Sequence, residues 1–203
     1  PDDEILGCGG TIDKLKKSFN LYTLILGAGI DSRVIKKNNQ LKNMKLIEQG
    51  LKANKYLGVK EIYFENLKDN SFDNYDLLEI IKIIEKYINK IKPNIIFTHS
   101  NNDLNIDHRI IFQSTLTACR PQRNSSVKKL YSYEVPSSTE WSFGRVTKNF
   151  QPNFFVDIEK NIKKKIKSLQ FYKSEMRKFP HPRSIKNIQN ISSVRGSSVG
   201  LKN

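Results

Sequence analysis

Asn94-Ile95-Ile96-Phe97-Thr98-His99-Ser100-Asn101-Asn102-Asp103-Leu104-Asn105-Ile106-Asp107-His108 changes character halfway. Its first four residues form a short apolar run without polar alternation. That pattern reads as a strand buried on both faces. A polar stretch follows with two of the chain's three histidines, and Arg109-Ile110-Ile111-Phe112 then reads as helix. The order strand, polar loop, helix is the basic step of a parallel α/β sheet, whose ligand crevice lies beyond the C-terminal ends of the strands.

Outward from this stretch the same step recurs. Leu21-Tyr22-Thr23-Leu24-Ile25-Leu26 and Glu61-Ile62-Tyr63-Phe64 are further short apolar runs. Between them, residues 40–57 place Leu41, Met44, Ile47, Leu51 and Leu57 at near-helical spacing. Residues 76–91 carry Leu77, Ile80, Ile81, Ile84, Tyr87, Ile88 and Ile91, a strong 3.6-residue period that Pro93 stops. Further strands are expected at 129–134 and 154–158, and a basic helix at 159–176 with Ile162, Ile166, Leu169 and Tyr172 inward. Loop chemistry and a short helix are expected after Phe179, and a flexible end from Arg195 to Gly200. The class that follows is α/β, with a mostly parallel sheet and helices on both faces.

Composition narrows the possibilities. The chain has 203 residues, a size for one domain. Cys8 and Cys119 stand far apart and form no disulfide framework, so a reducing, cytoplasmic compartment is expected. No run of 18 apolar residues exists to span a membrane. Thirty-five basic against 20 acidic residues leave a net charge of +15. Such a balance admits nucleic acid as a partner. Lysines spread over polar helix faces in a Lys-, Asn- and Ile-rich chain argue instead for compositional bias, and no nucleic-acid partner is expected. A basic field also attracts an acidic or phosphorylated small substrate.

The chain opens Pro1-Asp2-Asp3-Glu4-Ile5-Leu6-Gly7-Cys8-Gly9-Gly10-Thr11, two adjacent carboxylates before a glycine-rich turn. One Asp suffices to cap a helix. Two, with Glu4 beside them, suggest a cation. Asp107-His108 is a second acid-bearing loop-to-helix junction; its plain reading is an N-capping Asp beside an incidental His. Taken together, Asp3 and His108 supply two ligands of a hydrolytic zinc site, which keeps an open position for water.

"PDDEILGCGGT" resembles the signature of the PIG-L/LmbE family of zinc-dependent de-N-acetylases, Ala-His-Pro-Asp-Asp-Glu followed by a small-residue turn. "THSNNDLNIDHR" resembles that family's second metal motif, and "LKANKYLGV" its helix ending in Leu-Gly-Val. "ACRP" and "FPHPRS…RGSSVG" are similar to a bacterial branch acting on amino-sugar conjugates. The resemblance implies a Rossmann-like fold, a single deacetylase domain over 1–203 cut before residue 1 and after 203, and Zn2+ as cofactor. It implies Asp3 and His108 as zinc ligands, with a further ligand His before Pro1. Asp2 falls on the general base and Asp107 on the partner that orients its neighbour.

Asn105 stands where many relatives carry an oxyanion-stabilising His; it donates a hydrogen bond but no proton, and His181 is the candidate replacement. Leu46 stands where many relatives place an Arg, and Arg33 is the candidate substitute. Asp69 matches the acid that holds sugar hydroxyls. The implied substrate is a small N-acetylated amino sugar of the N-acetylglucosamine type or its conjugate, nucleotide- or phosphate-linked. The alternatives are hydrolysis of another small amide, and a basic nucleic-acid binder with a degenerate metal site.

Overall fold

A computed structural model describes residues 1–27, 39–144 and 148–203. Among them the chain divides into two compact units: residues 1–69 with 151–203, and residues 70–150.

In the first unit, α1 (Asp3–Leu15) precedes β1 (Tyr22–Gly27), α2 (Asn39–Leu57), β2 (Glu61–Leu67), α5 (Ile162–Leu169) and α6 (Ile185–Ser197). β1 and β2 pair in parallel, Tyr22 beside Glu61 and Ile25 beside Phe64. Such a pair needs a long crossover, and α2 supplies it. The strands therefore match the apolar runs, one or a few residues longer at their C-terminal ends.

In the second unit, α3 (Leu77–Ile91) precedes β3 (Ile95–His99), α4 (Ile106–Ala118) and β4 (Lys129–Tyr133). β3 and β4 pair in parallel, from Ile95 beside Lys129 to His99 beside Tyr133. α4 is their crossover. Ile80, Ile81, Ile84 and Tyr87 of α3 are buried, as their period requires. The helix ends at Lys92, whose φ of 52° breaks the ladder just before Pro93. The architecture is mixed α/β with parallel strands. No described helix is long and apolar enough to cross a membrane.

Four local expectations are corrected. The glycines of the opening segment lie inside α1 rather than in a turn. A Cβ on Gly10 would meet the Ile158 side chain at 2.7–2.9 Å, and one on Gly9 would meet Ile5 at 2.9 Å and Lys165 at 3.1 Å. The glycines let the 158–165 segment press directly onto the helix. Residues 154–158 form no strand: Ile158 N–H donates to the Asn203 carbonyl, and the Asp157 carbonyl accepts from Lys14 Nζ. The basic helix stops at Leu169, and Tyr172 is reached by turns. Finally, Arg195 to Ser197 continues α6, with Gly196 buried where the chain end folds back and Leu201 N–H donates to its carbonyl at 2.9 Å.

α1 is tied to the 158–165 segment by a buried carboxylate. Asp13 accepts from Lys16 Nζ at 2.6 Å and from Asn161 Nδ2 at 2.6 Å, with Lys164 Nζ at 3.4 Å. Burial opposes ionisation of Asp13, but the Lys16 and Asn161 hydrogen bonds outweigh it and hold the carboxyl below its ordinary range. A depressed folded value stabilises fully above the unfolded value and fades as pH falls through the folded one. Both lysines are partly exposed, which screens the effect. Asp13→Asn is therefore expected to cost about 1 kcal/mol at neutral pH. Urea melts should show the gap to wild type closing as the pH falls below the ordinary aspartate range. A gap equally wide in acid would assign the loss to shape rather than charge.

Candidate active site

The carboxylates of the opening segment belong to the first unit. Asp2 stands at the N-cap position of α1 but its side chain makes no cap hydrogen bond. Its φ is 92°, a region that costs a non-glycine residue about 1–3 kcal/mol. Three hydrogen bonds hold it. The Asp2 carbonyl accepts from Ile5 and Leu6 N–H, and the Asp2 N–H donates to Glu4 Oε2 at 2.9 Å. Asp2 is only 2% exposed, and its carboxylate is left for partners other than the helix end.

The positive charge facing it is Arg183. Nη1 donates to Asp2 Oδ2 at 2.7 Å and Nη2 to Asp3 Oδ1 at 3.3 Å. Glu175 Oε2 lies 3.7 Å from the same guanidinium. Burial pushes the Asp2 carboxyl well above its ordinary range, Asp3 adds to this, and Arg183 opposes it. Arg183 lies within the Phe179–Ser184 stretch, yet charge pattern alone gave no reason to join it to residues 180 positions away.

Glu4 is bound into the core instead of being free for a cation. Its Oε1 accepts from Tyr172 Oη at 2.5 Å and from Asn54 Nδ2 at 2.8 Å. Asn54, fully buried, in turn accepts from Thr23 Oγ1 at 2.8 Å. One hydrogen-bonded chain thus links α1, α2, β1 and the turn after α5, and fixes the backbone at Asp2 from behind. Burial, then Glu4, drives the Tyr172 phenol upward, so it acts as donor only.

His181 sits half-buried in the loop before α6. Its Nδ1 accepts from Arg183 N–H at 3.1 Å. In the neutral ring the proton is then on Nε2, which makes that atom a donor. Asp69 lies half-buried in the turn after β2. Leu46 is buried in α2. Arg33 lies outside the described residues.

The histidine pair belongs to the second unit. His99 closes β3 and His108 opens α4. Their ring centroids are 4.1 Å apart with planes 31° apart, and Tyr133 lies 5.1 Å from His99. Ring nitrogens of the two lie within 4.8 Å of each other. His99 was missed as a candidate; its position at a strand end, nine residues before His108, was the available signal.

Asn105 is the N-cap of α4, its Oδ1 accepting from Asp107 N–H at 2.8 Å. The capping role considered for Asp107 thus falls on Asn105, whose Nδ2 reaches Asn70 Oδ1 at 3.4 Å. Asp107 is buried and its Oδ1 accepts from Phe72 N–H at 3.0 Å. The carboxylate found at Nδ1 of His108 is that of Asp103, at 3.2 Å. Asp103 is fully buried. Burial opposes its ionisation, but His108, Ser138 and the Asn105 N–H outweigh this and hold it below its ordinary range. Cys8 and Cys119 are free; burial pushes their thiols up to about 12 and about 11, which makes them poor nucleophiles.

The chain is similar to known proteins. A family model described as PIG-L: GlcNAc-PI de-N-acetylase matches residues 1–119. The uncharacterized deacetylase YaiS of Escherichia coli (strain K12) is 25% identical over 183 residues, covering 86% of each chain. The conserved protein TT1542 from Thermus thermophilus superimposes with a TM-score of 0.74 at 20% identity, over 100% of this chain and 87% of that one. N,N'-diacetylchitobiose deacetylase from Pyrococcus horikoshii gives 0.73 at 19% identity, over 100% and 77%. At these identities the two solved structures establish the shared fold.

Proposed function

Because the chain belongs to the PIG-L family of de-N-acetylases, we propose that it is a zinc-dependent hydrolase removing acetyl from an N-acetylated amino sugar. An N-acetylglucosamine-type sugar or its nucleotide- or phosphate-linked conjugate is the substrate of this reading. Its two units act in it as one catalytic domain, and it works in the cytoplasm.

The observation that carries the reading is the contrast between Asp2 and its neighbours. Glu4 is spent on Tyr172 and Asn54, whereas the Asp2 carboxylate caps no helix N–H and is held by an arginine. Asp3 and His108, with His99 beside the latter, are the proposed zinc ligands. A carboxylate with imidazole nitrogens is a donor set that zinc favours, and the two packed imidazoles of the second unit offer nitrogen donors to a single ion. Zinc held there supplies Lewis acidity toward the acetyl carbonyl and lowers the pKa of water.

In this reading Asp2 takes the proton of the attacking water and returns it to the leaving amine. Carbon–nitrogen bond cleavage then leaves acetate and the free amino sugar. His181 donates from Nε2 to the carbonyl oxygen as charge develops there. Asp69 holds sugar hydroxyls, Asn105 offers the substrate a hydrogen bond, and Arg33 takes the place of the arginine that many relatives bring to the site.

The test is acetate release from a panel of N-acetylated sugars, sugar nucleotides and phosphoglycosides by the zinc-loaded protein. Acetate and primary amine should appear in equal amounts. If no member of the panel releases either, the reading fails. His181→Ala is expected to lower kcat by about 10²-fold with KM little changed. An unchanged kcat would remove His181 from the mechanism.

A further inference from the structure

We infer that Asp103 is a positioning residue: its buried carboxylate holds the His108 imidazole with Nδ1 protonated, so that Nε2 keeps its lone pair for a metal ion. The ligand role of His108 comes from the proposed function, on which this inference rests. What is added is the residue that sets its tautomer.

The geometry is confined to the second unit. Asp103 Oδ1 lies 3.2 Å from His108 Nδ1. A fully buried carboxylate needs donors on both oxygens, and Asp103 has them. Oδ1 accepts from Asn105 N–H at 2.9 Å and from the Ser138 hydroxyl. Oδ2 accepts from Thr139 Oγ1 at 2.8 Å. The Thr139 oxygen in turn accepts from Val135 N–H at 2.7 Å, which aims its proton at Asp103. Leu104 N–H donates to the Ser138 carbonyl at 3.2 Å.

The carboxylate is therefore clamped between the loop entering α4 and the loop leaving β4. It cannot swing away from the imidazole without breaking these bonds. A carboxylate accepts and cannot donate, so it selects the Nδ1–H tautomer. Asp107, the expected orienting partner, is committed to Phe72 N–H through Oδ1. A clamp of this kind commonly raises metal affinity about 10–100-fold.

The experiment uses the full chain with 15N-labelled histidine, the His108 signals being identified by their loss in His108→Gln. In wild type the neutral His108 ring is expected to carry its proton on Nδ1, before and after zinc is added. Asp103→Ala should shift the proton toward Nε2 and weaken zinc binding about 10–100-fold in a chelator competition. Asp103→Asn, whose amide oxygen still accepts, should lose less.

A purely structural Asp103 would change melting but neither the tautomer nor the zinc affinity of the folded variant. An Nε2–H ring in wild type overturns the inference, and so does a folded Asp103→Ala that keeps its zinc affinity within about twofold. If Asp103→Ala does not fold, the wild-type tautomer decides. Should wild type bind no zinc, the metal reading fails by itself, and the tautomer still reports on Asp103.

Discussion

Asp2→Asn is expected to lower acetate release by about 10²–10⁴-fold, the range over which a positioned general base accelerates proton transfer. The substitution keeps the shape. The amide oxygen still accepts from Arg183 Nη1, and Asn adopts a positive φ at least as readily as Asp. Folding should therefore survive, and Asp3 is untouched, so zinc content should stay at the wild-type level. The amide lacks only the ability to take a proton. The loss should fall on kcat, since the substrate is held by other groups. Steady-state kinetics with metal analysis of the same sample reads the result. Full acetate release by Asp2→Asn would show that the proton goes elsewhere, whatever the metal does.

The second large effect is removal of the metal. Exhaustive chelation is expected to reduce acetate release by about 10³-fold or more, and added zinc to restore it. A Lewis acid supplies several kcal/mol to such a barrier, and each 1.36 kcal/mol is tenfold in rate. His108→Ala should reproduce the chelated state and resist rescue by zinc at ordinary concentration. Undiminished activity in a sample shown by elemental analysis to hold no metal would end the zinc reading. Asp2 and Arg183 would then need another source of electrophilic help. The two predictions separate cleanly: the first variant keeps metal and loses rate, the second loses both.

The elements that position the site were legible where burial imposes a pattern. The strands at 22–27, 61–67 and 95–99 were legible because each contains a short run of β-branched and aromatic residues that stops at loop chemistry. α3 was legible because Ile80, Ile81, Ile84 and Tyr87 repeat with the helix period and Pro93 denies it continuation. Phe154–Ile158 has the same composition as a strand, but its hydrogen-bond partners are the chain end and a lysine, which no local pattern records. The glycines of α1 looked like a turn since Gly is a poor helix former. They lie within the helix, and glycine is needed there because Ile158 and Lys165 approach too closely for a Cβ.

By itself the sequence determined which residue types are available for chemistry, namely paired carboxylates at one loop-to-helix junction and an acid–histidine pair at another. It also determined the alternation of strands and helices that puts such junctions at strand ends, since periodicity is a local property. Only the tertiary structure decided how each acid is used. Glu4 accepts a hydrogen bond from Tyr172, 168 residues away, Asp2 faces Arg183 from 181 residues away, and Asp103 rather than Asp107 lies at Nδ1 of His108. A carboxylate's role is set by the donors that surround it after folding, and those donors come from parts of the chain whose separation in sequence says nothing about their distance in space.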